Sequence, residues 1–296
     1  MSDTAEKGVS AGRGGMANAL TVDVEGFVES NRQSFAIGEK YVDRAAEDRE
    51  IERNTEVTLE VLAGAGTKAT FFFLGRLAKA LPGLVRRTAE AGHEIGCHNF
   101  EHLRVFGIEQ KEFREKLGAA KKDLEAVSGQ RVWGFRAPDF SITKASLWAL
   151  DVLKELGFVY DSSIYPFGLH DVYGIKGAEP GLNKLANGLV EFPLSTTTVL
   201  GKRLPFGGGG YFRLYPVWLT RAFLRRENRA GNPGMFYIHP YEVGPVAPRV
   251  APMSAYRRFR HYYHCAGRAR LAQMLQGFRF VPAIEIVKER YGTEFA

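Results

Sequence analysis

Short apolar runs alternate with helical patterns almost from end to end of this 296-residue chain. That alternation predicts parallel strands joined by crossover helices, and weighs against an all-β or all-α fold. The runs at 19–24, 69–74, 93–97, 132–135, 158–160, 189–192, 235–238 and 278–281 read as strands. The clearest helix is expected at 109–127, where Phe113, Leu117, Ala120, Leu124 and Val127 recur at steps of three and four along one face. Gly92 and Gly157 stand where helices would end, because glycine takes the left-handed closing conformation without steric cost. Two stretches break the pattern: 166–188, which contains Pro180, and 201–211, which contains the glycines 207–210. Both are expected to be long loops of the kind that wall a binding site. No repeat or linker divides the chain. One domain over 18–296 is therefore expected, with a distinctive region at about 240–296 and an unstructured tail at 1–17.

Composition narrows the class. Hydrophobic residues make up 45% and charged residues 25%, the balance of a globular chain rather than a disordered or membrane-spanning one. No apolar run reaches the roughly 20 residues a bilayer requires. Residues 1–17 lack the apolar stretch of a secretory signal, and Cys97 and Cys265 are too few for a disulfide framework, so a cytoplasmic setting is expected. The net charge of +7 gathers late, in Arg249, Arg257, Arg258, Arg260, Arg268 and Arg270. A solvated helix face accounts for such a cluster. The same charges would suit an acidic glycan or the surface of a membrane bound peripherally, and no nucleic-acid partner is expected.

The chemistry is positional. Asp23 and Glu25 end the first expected strand, His98 and His102 follow the third, Arg136 the fourth, Asp161 the fifth and His239 the seventh. In a β/α barrel, strand C-terminal ends converge on one face, where active sites are built. His98 and His102 are spaced i,i+4, which on a helical turn points both imidazoles to one side, and Glu25 offers a third metal donor. Asp23, two residues before Glu25 on the same strand face, would remove a proton from a metal's water, unless it caps the strand end or pairs with an arginine. His239 suits proton donation to a leaving amine, or a hydrogen-bonded structural role. Arg136 either holds Asp23 charged and oriented or braces the turn before Pro138. Asp161 either orients His239 or caps a turn.

Five segments, VDVEG, HNFEH, FRAP, YDSS and YIHP, occur in the order and at about the separations of the motifs of the polysaccharide deacetylase family, the NodB-homology esterases of carbohydrate esterase family four. The chain resembles that family over nearly everything after residue 18. Its C-terminal region, from FYIHPYEVGPVAPRV through YRRFRHYY to FRFVPAIEIV, resembles the branch associated with exosortase-type exopolysaccharide systems. The resemblance implies a distorted β/α barrel of about seven parallel strands and a divalent metal, by family habit Zn2+. By position, Glu25, His98 and His102 would be its ligands, Asp23 the base and His239 the acid, with Arg136 steadying Asp23 and Asp161 tuning His239. The implied reaction removes the N-acetyl group from an amino sugar of a polysaccharide or its lipid-linked oligosaccharide precursor. A hydrolase of a cyclic amide and a catalytically silent glycan-binding barrel remain as rivals. The segments 166–188 and 201–211 would then wall a glycan groove, with Tyr165, Phe167, Tyr173, Phe206 and Tyr211 as stacking surfaces. Three positions depart from the family's habit: Asp-Val-Glu stands where adjacent aspartates are usual, Asn99 follows the first histidine in place of Ser or Thr, and Asp139 follows Pro138.

Overall fold

The computed structural model describes residues 15–35, 37–168, 174–245 and 267–292, apart from the side chains of Ser34 and Phe35. Each expected strand is present, several shorter than the apolar run that foretold it: β1 Ala17–Val24, β2 Thr70–Phe73, β3 Glu94–Cys97, β4 Gly134–Phe135, β5 Tyr160–Asp161, β7 Val190–Glu191, β10 Met235–Ile238 and β11 Arg279–Val281. Three more strands were not foreseen, β6 Asn183–Lys184, β8 Thr196–Val199 and β9 Lys202–Pro205. Among the described residues the main sheet runs β10-β1-β2-β3-β4-β5-β7-β6, with β11 pairing the start of β1. All its pairings are parallel except that of β6 with β7. The seven-strand parallel path curls into a half-barrel flanked by helices.

Period-two alternation along the strands decides what enters the barrel. On β1, Leu20, Val22 and Val24 pack outward against the helices, whereas Ala19 faces inward with Phe72, Tyr160, Val190 and Tyr237. Thr21 and Asp23 share the parity of Ala19, so the inward row ends on a carboxylate at the strand's C-terminal end. On β10 the same parity takes Tyr237 inward and carries His239 to the rim.

The segment 201–211 is not the loop expected of it. Its first half is β9, paired antiparallel with β8 in a separate hairpin, and its end is the start of the helix Gly209–Leu214. Polar and basic side chains in the hairpin, TTTV and KRLP, hid the strands from a hydrophobicity reading. Between these elements Gly208 lies flat against Tyr237 at φ +126°, and a Cβ there would meet the Tyr237 carbonyl oxygen at 1.9 Å, so only glycine fits. Tyr165 and Phe206 are buried and cannot stack on a ligand, and Phe167 and Tyr211 are half-buried against the inner core. Tyr173 lies outside the described residues, as do Cys265, Arg249, Arg257, Arg258 and Arg260. The two remaining members of the basic cluster serve the fold: Arg268 pairs with Glu60, and Arg270 donates to the carbonyls of Phe212 and Tyr215. Among the described residues no helix is long and apolar enough to cross a membrane.

Candidate active site

The HNFEH segment supplies two imidazoles to the rim of the half-barrel, though not from a helix. Residues 98–102 form an irregular turn after β3. Its reversal rests on Asn99 at φ +66°, a conformation that asparagine tolerates far better than most residues, and the Asn99 side chain donates to the Leu103 carbonyl. The turn is held to its neighbour by Gly75 and Arg76, whose amides donate to the carbonyls of Asn99 and Phe100. The outcome is the one a helix would have given, with the rings of His98 and His102 5.7 Å apart.

Both rings meet Glu25. His98 Nε2 and His102 Nε2 each lie 3.0 Å from Glu25 Oε2, and one donor atom from each of the three residues falls within 4.8 Å of the others. All three side chains are buried. His98 Nδ1 sits 2.8 Å from the Arg136 carbonyl, which can only accept, so that nitrogen carries a proton and Nε2 is turned toward Glu25. Two imidazole nitrogens turned on one carboxylate oxygen need a cation there, a proton or a metal ion. One carboxylate oxygen and two imidazole nitrogens, oriented from behind and shielded from solvent, are the donor set of a divalent metal such as zinc.

Without metal, a proton takes up part of that role. Burial opposes charge on His102, but Glu25 beside it outweighs burial and raises the ring to about 9. Burial likewise opposes charge on Glu25, and the two histidines hold it well below the usual carboxylate range. Metal binding at neutral pH should therefore expel about one proton. Titrating zinc into the metal-free protein in buffers of different ionisation enthalpy should give observed heats that scale with the buffer. A buffer-independent heat would show that His102 carries no such proton.

Asp23 is placed by a fully buried arginine. Arg136 Nη1 donates to Asp23 Oδ1 at 2.7 Å and to Thr21 Oγ1 at 2.6 Å, while Nη2 and Nε reach Ser162 Oγ and the Ser162 carbonyl. The guanidinium also lies 4.5 Å from the centre of the Phe72 ring. Truncating one partner of a buried ion pair leaves the other charge unpaired, so Arg136→Met should cost about 3–5 kcal/mol. A lowered urea midpoint at unchanged slope would report it; an unchanged midpoint would show that the Asp23 contact carries no weight in the fold.

The chain matches known proteins in two adjoining blocks. Residues 42–160 match the family model described as polysaccharide deacetylase, and 162–288 match a domain described as of unknown function, DUF3473. These matches support the polysaccharide deacetylase family for this chain. A peptidoglycan-N-acetylglucosamine deacetylase of Bacillus cereus is 32% identical over 98 residues, 33% of this chain and 36% of that protein. A chitooligosaccharide deacetylase of Azorhizobium caulinodans is 36% identical over 85 residues, 28% of this chain and 40% of its own length. The chain thus spans well under half of either relative. A crystal structure described as a polysaccharide deacetylase from Mycobacterium smegmatis shares the fold at TM-score 0.59 and 22% identity, covering 94% of this chain and 90% of that one. Puue allantoinase shares it at TM-score 0.60 and 16% identity, covering 95% and 91%. The site straddles the matched blocks: His98, His102 and Arg136 fall in the first, His239 in the second, and Asp23 and Glu25 before both.

The surroundings of His239 differ from the sequence reading. His239 Nε2 lies 3.4 Å from Glu25 Oε1, on the flank of Glu25 away from the paired histidines, and the ring stacks on Tyr241 at 4.8 Å. Asp161, expected to tune His239, is bonded instead to Ser163, at 2.5 Å from the hydroxyl, and to Glu191 across the strand pair. Burial pushes the Asp161 carboxyl up to about 6 and Glu191 well above its usual range, so the two adjacent acids hold a proton between them. The carboxylate beside His239 is Glu242: Oε2 accepts from the His239 backbone amide at 2.9 Å and lies 3.2 Å from Nδ1, an ion-pair contact rather than an aligned hydrogen bond. Burial disfavours charge on Glu242, but Arg213 and His239 outweigh it and bring the group down to about 2. Arg213 forms a salt bridge with its other oxygen. A signal was present in HPYE, since Pro240 opens a helical turn that returns a residue three positions on to its own start. Asp139 forms an ion pair with Arg104 at 2.7 Å, which neutralises the negative charge that follows Pro138. Cys97 is buried, and burial raises its thiol to about 12, far from a nucleophile's range.

Proposed function

We propose that this chain is a metal-dependent hydrolase that removes the N-acetyl group from an amino sugar of a polysaccharide or of its lipid-linked precursor, with Zn2+ as the ion held by Glu25, His98 and His102. The observation that carries the reading is the convergence of two imidazole nitrogens on one buried carboxylate oxygen, each at 3.0 Å, beside an aspartate and a third histidine. The family match over residues 42–160 and the names of the Bacillus cereus and Azorhizobium caulinodans relatives support the choice of bond and substrate class.

The reaction adds water across an amide: oxygen joins the acetyl carbon, the C–N bond breaks, and acetate and a free amine leave. A bound divalent ion supplies Lewis acidity for the carbonyl and acidifies water at neutral pH. Asp23 accepts the proton of the attacking water, and Arg136, itself held by Thr21 and Ser162, keeps its carboxylate turned to receive it. His239 delivers a proton to the departing nitrogen, which leaves poorly as an anion. Burial opposes charge on His239, but Glu242, Glu25 and Asp23 outweigh it and raise the ring above its ordinary value, so the imidazolium is available near neutral pH. Acetate release from N-acetylated oligosaccharides and lipid-linked oligosaccharides, with and without chelator, tests the reading. Chelator-sensitive acetate supports it; ring-opening of a cyclic amide in place of acetate release would assign the site to the rival hydrolase.

A further inference from the structure

The helix Val217–Arg229 has two unlike faces. Its inner face is committed to the fold: Thr220 and Leu224 are buried, Glu227 accepts from the Thr197 hydroxyl at 2.6 Å, and Asn228 donates to Asn18 at 2.7 Å. The outer face carries Trp218, Ala222, Arg225 and Arg229, in steps of four, three and four, with Arg226 beside them. Helical geometry gathers these positions into an arc of about 100°. All are exposed, Trp218 by 68%. Four residues before it, at the end of the short helix Gly209–Leu214, Leu214 is 59% exposed.

The arginines of this face are not spent inside the protein. Among the described residues no carboxylate forms a salt bridge with Arg225, Arg226 or Arg229. Arg225 lies 5.4 Å from the centre of the Phe278 ring, a contact that steadies the guanidinium without neutralising it. The one acid of the helix, Glu227, is held on the inner side by Thr197 and Asn232. Uncompensated positive charge thus stands beside two large apolar side chains in water.

A face that only kept the chain dissolved would carry the charge without the tryptophan and the leucine, whose exposure is unfavourable. An acidic polymer would take the arginines and leave Leu214 without a partner. An anionic bilayer surface uses every member. Its phosphates accept from guanidinium forks, and indole rings settle where headgroups meet acyl chains. A convex helix face cannot enclose a small molecule, whereas it can lie in the plane of a membrane interface.

We infer that the outer face of helix 217–229, together with Leu214, docks the protein on an anionic lipid surface. Arg213, next to Leu214, holds Glu242 beside His239, so a bilayer seated there lies alongside the rim that carries His239. The inference does not depend on which bond the site cleaves.

Sedimentation of the full chain with phosphatidylcholine vesicles, with and without phosphatidylglycerol, tests it. The protein should pellet with the mixed vesicles and stay in solution with phosphatidylcholine alone. Arg226→Gln with Arg229→Gln should lower the partition coefficient about thirtyfold, the effect of two arginines at a charged bilayer surface. Because both side chains are exposed, the thermal midpoint should not move. Lys111→Gln with Lys144→Gln, the same change in net charge on other exposed positions, should bind as the parent does. Tryptophan emission should shift to the blue on adding mixed vesicles, and Trp218→Phe should abolish that shift. Parent-like binding by the double arginine variant, an equal loss in the lysine control, or pelleting that ignores phosphatidylglycerol overturns the docking surface. Retention on polygalacturonate that the arginine substitutions abolish, without any vesicle binding, also overturns it and gives the patch to an acidic polymer.

Discussion

Asp23→Asn is expected to bind zinc as tightly as the parent chain and to lose roughly 10²–10⁴-fold in acetate release, the usual range for a missing general acid or base. The amide keeps the shape of the carboxylate and its oxygen can still accept from Arg136, but it cannot accept a proton from water. His98→Ala should behave differently, losing zinc and turnover together, because it removes both a donor atom and the Nδ1 contact to the Arg136 carbonyl that aims it. Metal content by atomic absorption beside acetate release separates the two. An Asp23→Asn protein that arrives without metal would move Asp23 into the ligand set, and a His98→Ala protein with full metal would dissolve the proposed centre.

His239→Ala should keep its metal and lose turnover by roughly 10²–10⁴-fold. His239 lies beside Glu25 at 3.4 Å, but its Nδ1 faces Glu242 and its backbone leads straight into Pro240, which biases the residue to extended geometry away from the histidine pair. The sign of the pH dependence follows from its raised ring. Activity should fall as pH rises through that elevated value, because the proton to be donated is lost there. Glu242→Gln removes the largest of the raising charges, so the alkaline limb should move to lower pH while zinc content stays constant. An alkaline limb that stays in place in Glu242→Gln would show that Glu242 does not tune the acid. Loss of zinc from His239→Ala would make His239 a ligand.

Much of the barrel could be read from residue types alone, since strands buried on both faces must be apolar nearly throughout. Phe71 to Phe73 and Met235 to Ile238 could hardly have been anything else. The hairpin of β8 and β9 escaped notice because its side chains are threonine, lysine and arginine, and a strand that does not build the core leaves no apolar run. Aromatic residues misled in the opposite way. Tyr165 and Phe206 looked like ligand platforms because a sequence lists ring chemistry but not accessibility, and the core claimed both rings.

What the sequence by itself determined is the cast of reactive groups and the strand ends that carry them. Asp23 and Glu25 share a face because a strand repeats every two residues, and the other groups sit at strand ends that parallel topology gathers on one rim. Which groups actually touch was decided only by the tertiary structure. Asp161 looked like the partner of His239, yet β5 and β7 pair so that Asp161 faces Glu191, and a helical turn begun by Pro240 brings Glu242 back to the imidazole instead. Local spacing fixes direction along one element, whereas contact between elements depends on register and on turns whose geometry a list of residues does not contain.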